Sequence, residues 1–431
     1  MKKLIAFVAA LCIAAPAMAA PKKDAKEKDK KKEKEVPAMM WSVVVEGARQ
    51  VGKSTLVRVL ADGRDVLTTM DDDLTRAFAR DDPVGFLRSA GERRLVVDEI
   101  QRCPELILPL KAEVDRDRRA GRFILTGSAN LLRLPNAEDS LAGRAMTIRL
   151  HPFAQAELSR RPSDWVTSVL AGADPSAVAS ERVDIVERVA KGGYPAVQGL
   201  SPRLRVAWLR DYANRLVERD AADIAPAQVP ALRHLLAMMS AAPMAELVFE
   251  RLAQELGLAR ATVQRHLEIL EALFLVERLP SWSRNLTKRQ VQRRKAFLTD
   301  SALAVALSGM SAEHLNSPQG SDHFGPLLEN FVVSELQRQQ GWSATDFTLS
   351  HYRDRHGAEV DLIVETPHGV LGVEVKASTT ARPVHFKHLI ALRDRLGGEF
   401  LGGVVLTTGS GQRAGDRLAA MSVASLWEPL G

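Results

Sequence analysis

Cysteine and tyrosine are scarce in this chain of 431 residues, and long apolar runs are missing. The two cysteines are Cys12 and Cys103, so the chain beyond residue 40 holds one thiol and cannot form an internal disulfide. That scarcity favours a reducing compartment. No stretch approaches the roughly 20 apolar residues of a membrane-spanning helix, which argues against integral membrane association.

An excess of charge of one sign is also nearly absent beyond the first forty residues, because basic and acidic side chains almost balance there. The net charge is +6, and residues 1–40, with 10 Lys and 5 acidic residues, contribute most of it. The body of the chain is therefore close to neutral, so a nucleic-acid surface would have to come from a local cluster. The 46% hydrophobic and 26% charged residues are typical of a globular protein of this length, with room for two to four domains.

The first nineteen residues have the pattern of a secretory signal. Lys2 and Lys3 precede a short apolar segment, residues 4–15, and Ala17-Met18-Ala19 has the small-x-small form of a cleavage site. The alternatives are a start codon placed too far upstream, or a leader joined to an unrelated body. Residues 20–38 are rich in Lys and poor in aliphatic side chains, which predicts a disordered tether.

A phosphate-binding loop is indicated directly after this tether. The β-branched run at residues 41–46 predicts a buried strand, and it leads through G-x-x-x-x-G-K-S into an amphipathic helix. In that context the backbone N–H groups and the helix N-terminus bind phosphate, the lysine reaches the β/γ-phosphates and the serine ligates Mg²⁺. The predicted nucleotide contacts are Gly47, Ala48, Arg49, Gln50, Val51, Gly52, Lys53, Ser54 and Thr55.

A second strand, residues 94–99, ends in the paired acids Asp98 and Glu99. Asp98 is predicted to hold Mg²⁺ and Glu99 to polarise the attacking water as general base. A third strand, residues 122–128, ends at Ser128, which either contacts the γ-phosphate or the water, or is a loop serine with local partners only. Arg144 is a candidate arginine finger.

These segments occur in an order that resembles a known family. GARQVGKSTL, VVDEIQRCPEL, FILTGSANLL and LAGRAMTIRLHPFAQAEL, with Gly192-Gly193-Tyr194-Pro195, look like the prokaryotic AAA-superfamily ATPases that carry a C-terminal domain of unknown function. The resemblance covers roughly residues 41–410. It implies ATP hydrolysis with Mg²⁺ at the P-loop and the paired acids, Ser128 as a sensor, and Arg144 as a possible finger.

The same resemblance bears on location and assembly. An ATP-dependent body implies a cytoplasmic protein, in disagreement with the signal-like residues 1–19. Family members usually begin with a short segment that docks on the ATPase core, and here the leader and the tether occupy that place. If Arg144 acts on a neighbouring copy, a homo-oligomer follows, but action within one chain is equally open.

The middle of the chain has the pattern of a winged helix-turn-helix. Residues 245–279 predict a helix, a turn at Gly257, a second helix and then an apolar, β-rich segment. DNA contact is one interpretation, and a module for protein contacts is the other. The candidates for base or phosphate contact at the start of the second helix are Arg260, Thr262, Gln264 and Arg265.

A basic stripe follows at residues 278–295, with seven basic side chains, no acid and an interleaved Trp282. Such a stripe is suited to a phosphate backbone, although a solvated basic face has the same composition. Its members are Arg278, Arg284, Lys288, Arg289, Arg293, Arg294 and Lys295.

The C-terminal part predicts a helix at residues 324–340 that carries Glu329, and strands that carry Asp361, Glu374 and Lys376. Glu374 and Lys376 are two apart and therefore share a face of their strand. The set resembles the PD-(D/E)xK nucleases, without the first proline of that motif. Asp361 and Glu374 are the predicted metal ligands, and Glu329 and Lys376 the predicted catalytic partners. The alternative is an inherited fold with an internal Lys–Glu pair.

The sequence thus predicts an α/β protein with an AAA-like parallel P-loop sheet, a helical lid, a winged-helix module and a C-terminal restriction-endonuclease-like α/β domain. Its expected domains are a signal at 1–19, a tether at 20–38, an ATPase core at 39–155, a helical lid at 156–230, a winged-helix module at 231–300 and a nuclease-like α/β domain at 320–431. The expected function is ATP hydrolysis coupled to nucleic-acid binding or cleavage. The alternative is an ATP-dependent switch whose nuclease-like domain only binds.

Overall fold

A computed structural model of the protein describes residues 41–63, 65–128, 143–161, 163–220, 228–285, 287, 289, 293–354 and 357–430. The described residues divide into two compact units, one ending at Leu150 and one beginning at His151. We call them the N-terminal and the C-terminal unit. The predicted signal at 1–19 and tether at 20–38 lie outside the described residues.

The N-terminal unit is built on a five-stranded parallel sheet. Its strands are Ser42–Glu46 (β1), Asp65–Thr69 (β2), Arg94–Asp98 (β3), Phe123–Gly127 (β4) and Ala145–Arg149 (β5), in the order β2-β3-β4-β1-β5. This confirms the predicted parallel α/β sheet. β2 was not predicted, because as an edge strand it is only half-buried and has no continuous apolar run.

Both faces of this sheet are covered. The helices of the unit are Lys53–Leu60 (α1), Asp73–Asp81 (α2), Pro83–Arg88 (α3) and Ile107–Arg116 (α4). Val43 and Val45 pack in one apolar cluster with Leu56, whereas Val44 packs in another with Phe86. Alternate residues of β1 therefore point to opposite faces, and the strand is buried on both, as its β-branched run predicts.

The C-terminal unit holds eleven α-helices among its described residues. They are Gln155–Leu158 (α5), Trp165–Leu170 (α6), Arg182–Lys191 (α7), Pro202–Arg215 (α8), Val229–Ala241 (α9), Phe249–Leu256 (α10), Arg260–Ala272 (α11), Ser301–Ser308 (α12), Ala312–Asn316 (α13), Ser321–Gln339 (α14) and Lys387–Leu396 (α15). Among the described residues, no helix has the length and apolar character needed to cross a bilayer.

Two antiparallel strands, Val276–Leu279 (β6) and Lys295–Leu298 (β7), follow α10 and α11 and form a β-ribbon. The turn between the two helices begins at Gly257, whose φ of 65° is left-handed. The ribbon pairs Val276 with Leu298 and Leu279 with Lys295. Two helices and an exit strand were predicted over residues 245–279, and the structure adds the returning strand β7.

A six-stranded mixed sheet follows in the C-terminal unit. Its strands are Thr348–Arg353 (β8), Glu359–Thr366 (β9), Gly369–Val375 (β10), Phe400–Thr407 (β11), Gln412–Gly415 (β12) and Leu418–Ser422 (β13), in the order β12-β13-β11-β10-β9-β8. β9 and β10 form an antiparallel hairpin, and β10 runs parallel to β11. Helix α15 packs its apolar side on this sheet through Leu389 and Leu392.

Segments far apart in the sequence meet around the buried Trp165. Its indole Nε1 donates to Ser425 Oγ at 2.9 Å, and its backbone N–H donates to Gln339 Oε1 at 3.0 Å. The same Gln339 side chain donates to the carbonyl of Leu426 at 2.7 Å. Start, middle and end of the unit are therefore packed into one core.

A buried ionic network lies in the same unit. Arg338 donates to Asp300 Oδ2 at 2.9 Å and to Glu335 Oε1 at 2.7 Å, and all three side chains are almost wholly buried. Glu335 also accepts a hydrogen bond from the backbone N–H of Gln155 at 2.7 Å. Burial raises the pKa of Glu335 to about 7, with a contribution from Asp300, and Arg338 opposes that rise.

Candidate nucleotide site and acidic cluster

The loop between β1 and α1 has the backbone geometry of a phosphate-binding loop. Gly47 and Gly52 have φ values of 150° and 100°. A Cβ on Gly47 would lie 2.2 Å from the carbonyl oxygen of Leu150, so no other residue fits there. Gly52 is the N-cap of α1, whose free N–H groups and dipole favour an anion.

Lys53 is folded back onto its own loop. Its Nζ donates to the carbonyls of Gly47 and Ala48, both at 2.9 Å, and its side chain is 4% exposed. Burial lowers the pKa of Lys53 to about 8; Arg49 lowers it further, while Glu99 and Asp98 act in the opposite direction. A phosphate at the loop would give this ammonium a stronger partner than two carbonyls.

Ser54 and Asp98 are brought together from α1 and the end of β3. The Ser54 hydroxyl donates to Asp98 Oδ1 at 3.0 Å, and the hydroxyl of Thr126 on β4 donates to the same oxygen. Hydroxyl and carboxylate oxygens are the ligands that Mg²⁺ prefers. Ser54 and Asp98 carry oxygens of the kind that such an ion needs, and Thr126 is an additional hydrogen-bond partner of Asp98.

Glu99 adopts a left-handed backbone conformation, with φ of 56°, directly after β3. Its carboxylate oxygen Oε2 accepts from Ser128 Oγ at 3.1 Å and from the Gln101 side-chain amide. Gln101 also donates to Ser128 Oγ at 2.9 Å. Ser128 therefore lies beside the candidate base, and Gln101, which sequence reasoning missed, holds both side chains.

Arg144 lies at the start of β5 and forms a paired contact with Asp115 of α4. Its Nε and one terminal nitrogen each lie 2.8 Å from a carboxylate oxygen of Asp115. The side chain remains 24% exposed. The candidate finger is thus held by a carboxylate of its own unit.

The predicted residues of the C-terminal unit form an acidic cluster, which we define as Glu329, Glu359, Asp361 and Glu374. Lys376 Nζ lies 3.1 Å from Asp361 Oδ2 and 2.5 Å from Glu374 Oε2. The backbone N–H of Val375 also donates to Asp361 Oδ2, at 2.8 Å. The structure therefore unites all four predicted side chains and adds Glu359.

A second lysine, Lys295 of β7, enters the acidic cluster from the β-ribbon. Its Nζ lies 2.9 Å from Glu329 Oε1 and 3.0 Å from Glu359 Oε1, and its side chain is 5% exposed. Sequence reasoning placed Lys295 in a phosphate-binding stripe, and that assignment is wrong for this side chain, since it is buried. No local signal marks the contact, because its partners are 34 and 64 residues away in the chain.

The electrostatics of the acidic cluster follow from burial and crowding. Burial and repulsion from Asp361 raise the pKa of Glu329 and of Glu374 to about 8, while the lysines oppose the rise. Burial lowers the pKa of Lys295 and Lys376, but attraction to the surrounding carboxylates outweighs it and the pKa of each lysine rises. Both lysines therefore stay charged, and they are outnumbered in this buried space by four carboxyl groups.

Whether the acidic cluster suits a divalent cation depends on which of its carboxylate oxygens have no hydrogen-bond partner. In the described part of the chain, no three His, Cys, Asp or Glu side chains stand together as a ready metal site. The two lysines lie between the carboxylates instead. Glu374 Oε1, however, is buried without a hydrogen-bond partner among the described residues. A buried orphan carboxylate oxygen is costly, and a cation would satisfy it.

The other members of the basic stripe are largely neutralised. Lys288 lies outside the described residues. Four arginines pair with carboxylates on other elements: Arg278 with Glu271, Arg284 with Glu399, Arg289 with Glu365, and Arg293 with Glu246. A count of charges along the sequence does not reveal these partners, so the stripe is not the uncompensated row of cations that was expected.

Comparison with known proteins divides the chain into three parts. Residues 41–159 match the family described as an AAA domain, and residues 182–314 and 324–426 match two domains of unknown function, DUF8612 and DUF4143. An uncharacterised protein of Mycobacterium tuberculosis and one of Mycobacterium bovis are each 27% identical over 342 residues, which is 78% of this chain and 70% of theirs.

Two solved structures are distant neighbours. C. elegans PCH-2 is 16% identical with a TM-score of 0.23, over 50% of this chain and 61% of that one. RuvB of Thermotoga maritima is 16% identical with a TM-score of 0.26, over 56% of this chain and 83% of that one.

The parallel sheet, the glycine-bounded loop and the Ser54–Asp98 pair have the architecture of a P-loop nucleotide-binding fold. Residues 41–159 are similar to the AAA domain family, and this similarity supports ATP binding at the loop.

Proposed function

We propose that this protein hydrolyses ATP at its P-loop and that the C-terminal acidic cluster is a metal-dependent site for cleaving a nucleic-acid phosphodiester. The observation that carries the first part is the 3.0 Å hydrogen bond between Ser54 and Asp98, which unites two predicted Mg²⁺ ligands from separate elements. The second part is supported by the convergence of Glu329, Asp361, Glu374 and Lys376.

In the proposed ATPase, each residue has a separate task. Residues 47–55 bind the phosphates, and Lys53 exchanges the Gly47 and Ala48 carbonyls for phosphate oxygens. Ser54 and Asp98 would hold Mg²⁺, which neutralises phosphate charge when bound. Glu99 polarises the attacking water as general base, and Gln101 and Ser128 orient its carboxylate.

Phosphate release in the presence of Mg²⁺ tests the ATPase. We expect Lys53→Ala to lose nucleotide binding and Glu99→Gln to keep binding but lose hydrolysis, because only the latter leaves the phosphate contacts in place. Lys111→Ala, at a half-buried lysine in α4, serves as the matched control. Full hydrolysis by Glu99→Gln would remove Glu99 from the mechanism.

In the proposed nuclease, Asp361 and Glu374 would hold a divalent cation, and the orphan oxygen of Glu374 is suited to it. Lys376 lies within reach of both carboxylates and is placed to stabilise negative charge on a phosphate. Cleavage of plasmid, linear and single-stranded DNA, with Mg²⁺ or Mn²⁺ and with or without ATP, compares the wild type with Asp361→Ala. Cutting that disappears in the variant supports a nuclease.

A second candidate is an ATP-dependent switch whose nuclease-like domain only binds. The observation in its favour is that both lysines form ion pairs within the acidic cluster, which an inherited but inactive site would also show. ATP hydrolysis without DNA cleavage under any of these conditions supports this candidate.

DNA is the proposed partner of α10, α11 and the β-ribbon, which we interpret as a winged helix. On α11, Arg265 is exposed and Arg260 is exposed but paired with Glu250 at 2.9 Å. We expect Arg265→Ala to weaken DNA binding and to lower the slope of log affinity against log salt by about one. Arg203→Ala, at an exposed position on α8 outside these elements, is the matched control. Unchanged binding would favour a module for protein contacts.

A further inference from the structure

The position of Lys295 is fixed by backbone contacts on both sides of the β-ribbon. Its neighbour Ala296 donates from its N–H to the carbonyl of Ala245 at 3.1 Å and accepts from the N–H of Met244 at 2.8 Å. At the other edge, β7 pairs with β6. Lys295 is therefore not a surface side chain that reached the acidic cluster by chance rotation.

The β-ribbon is in turn attached to the mixed sheet. The N–H of His351 on β8 donates to the carbonyl of Pro280 at 2.9 Å, and the N–H of Trp282 donates to the carbonyl of His351 at 2.6 Å. Trp282 is buried against Tyr352 in the apolar core of that sheet. The ribbon, and with it Lys295, is held at the edge strand β8, whose neighbour β9 carries Glu359.

Within the acidic cluster the two lysines divide the carboxylates between them. Lys376 contacts Asp361 and Glu374, whereas Lys295 contacts Glu329 and Glu359. Four carboxyl groups therefore share two ammonium groups, and each ammonium bridges two of them. The Lys295 ammonium, which bridges two carboxylates at 2.9 and 3.0 Å, occupies oxygens that could otherwise supplement Asp361 and Glu374 as ligands of a divalent cation.

We propose that Lys295 is a built-in cation of the acidic cluster, which occupies Glu329 and Glu359 and thereby keeps the affinity of the cluster for divalent cations low. This inference rests on the proposed metal-dependent function of the same cluster. It assigns the β-ribbon a regulatory task, because whatever draws β7 away from the sheet removes the competing charge and opens the cluster to a metal.

Mn²⁺ binding by the full chain, measured by calorimetry and by the loss of free-ion paramagnetic signal, tests the proposal without any activity. We expect Lys295→Met, which keeps the length of the side chain and removes its charge, to bind Mn²⁺ at least about tenfold more tightly than the wild type, since one competing charge is lost. Lys295→Arg keeps the charge and should bind as the wild type does. Arg289→Met removes a cation that pairs with Glu365 outside the cluster, and should have no effect.

Equal or weaker Mn²⁺ binding by Lys295→Met overturns the proposal. If that variant does not fold, because its acids are left unpaired, Lys295→Met combined with Glu329→Gln is compared with Glu329→Gln alone, and the same tenfold criterion applies.

The DNA cleavage assay separates this inference from the proposed nuclease. Tighter Mn²⁺ binding by Lys295→Met in a protein that never cuts DNA leaves the inference standing and removes the nuclease. If the wild type cuts DNA and Lys295→Met binds Mn²⁺ as the wild type does, the nuclease is supported and the inference about Lys295 is overturned.

Discussion

The hydroxyl of Ser54 donates a 3.0 Å hydrogen bond to Asp98, joining the first turn of α1 to the end of β3. Thr126 donates to the same carboxylate oxygen from β4. A helix and a neighbouring strand thus hold one carboxylate at the end of β3 in place. A group held by two hydroxyls does not have to reorganise when an ion and a nucleotide arrive.

Removal of the Ser54 hydroxyl should affect hydrolysis more than removal of the Thr126 hydroxyl. We expect Ser54→Ala to slow ATP hydrolysis by about a hundredfold, because it loses a proposed ligand, and Thr126→Val by about tenfold, because it loses only orientation. Steady-state phosphate release over a range of Mg²⁺ concentrations measures both. Equal losses in the two variants would assign Ser54 an orienting role only.

Gln101 should act on Glu99 and not on the nucleotide. We expect Gln101→Ala to lower kcat by about tenfold with little change in the binding of a fluorescent ATP analogue, since the amide contacts only Glu99 and Ser128 among the described partners. Gln101→Glu, which cannot donate, should resemble it. A change in nucleotide affinity equal to the change in kcat would contradict this positioning role.

Arg144 and Asp115 allow a matched test of the finger. If Arg144 stabilises charge during hydrolysis, Arg144→Ala should abolish turnover while Asp115→Ala keeps it. The pair is partly exposed and screened by solvent, so we expect each variant to lose little unfolding free energy. Phosphate release and thermal unfolding are measured on the same samples, and dilution shows whether turnover depends on assembly. If Arg144→Ala and Asp115→Ala lose the same stability and both keep full turnover, Arg144 has a structural role only.

Glu335 should make stability depend on pH. Its pKa is about 7 when folded, above the usual 4.5, so the folded state holds the extra proton between these values. Stability should therefore fall as the pH rises from 4.5 to 7 and level off above that, by at most on the order of 3 kcal/mol.

Urea unfolding at pH 5, 6, 7 and 8 measures this dependence. We expect Glu335→Gln to flatten it relative to the wild type, whereas Glu313→Gln, at an exposed site on α13, should not. The comparison cancels other titrating groups such as His351, whose pKa burial lowers to about 4. The same slope in wild type and Glu335→Gln would show that Glu335 is ionised throughout.

Prediction from sequence succeeded where the signal is local. The P-loop, β1, β3 and β4 are each formed by one short, continuous segment. Their glycines and apolar runs therefore predict the buried parallel sheet directly. In the acidic cluster, the spacing of two along a strand predicted that Glu374 and Lys376 share a face, and the resemblance to the PD-(D/E)xK pattern singled out Asp361.

The missed contacts join distant segments or lack a pattern of their own. Lys295 meets Glu329 and Glu359 only because the β-ribbon packs at the edge of the mixed sheet, and no count of charges along the chain contains that information. Gln101 and Thr126 lie inside segments that sequence reasoning singled out, but an amide or a hydroxyl beside an acid has no periodicity to mark it. Edge strand β2 was missed because half-burial leaves a weak pattern.

The burial of Trp165 against Gln339 and Ser425 bears on how the protein can be divided for experiments. A fragment beginning at residue 320 would expose the socket that Trp165 fills and would leave Glu329 and Glu359 without their lysine. In such a fragment, unpaired carboxyl groups and an apolar pocket would be exposed to solvent. Its metal affinity would therefore differ from that of the whole chain. Biochemistry on the mixed sheet therefore has to start no later than residue 151.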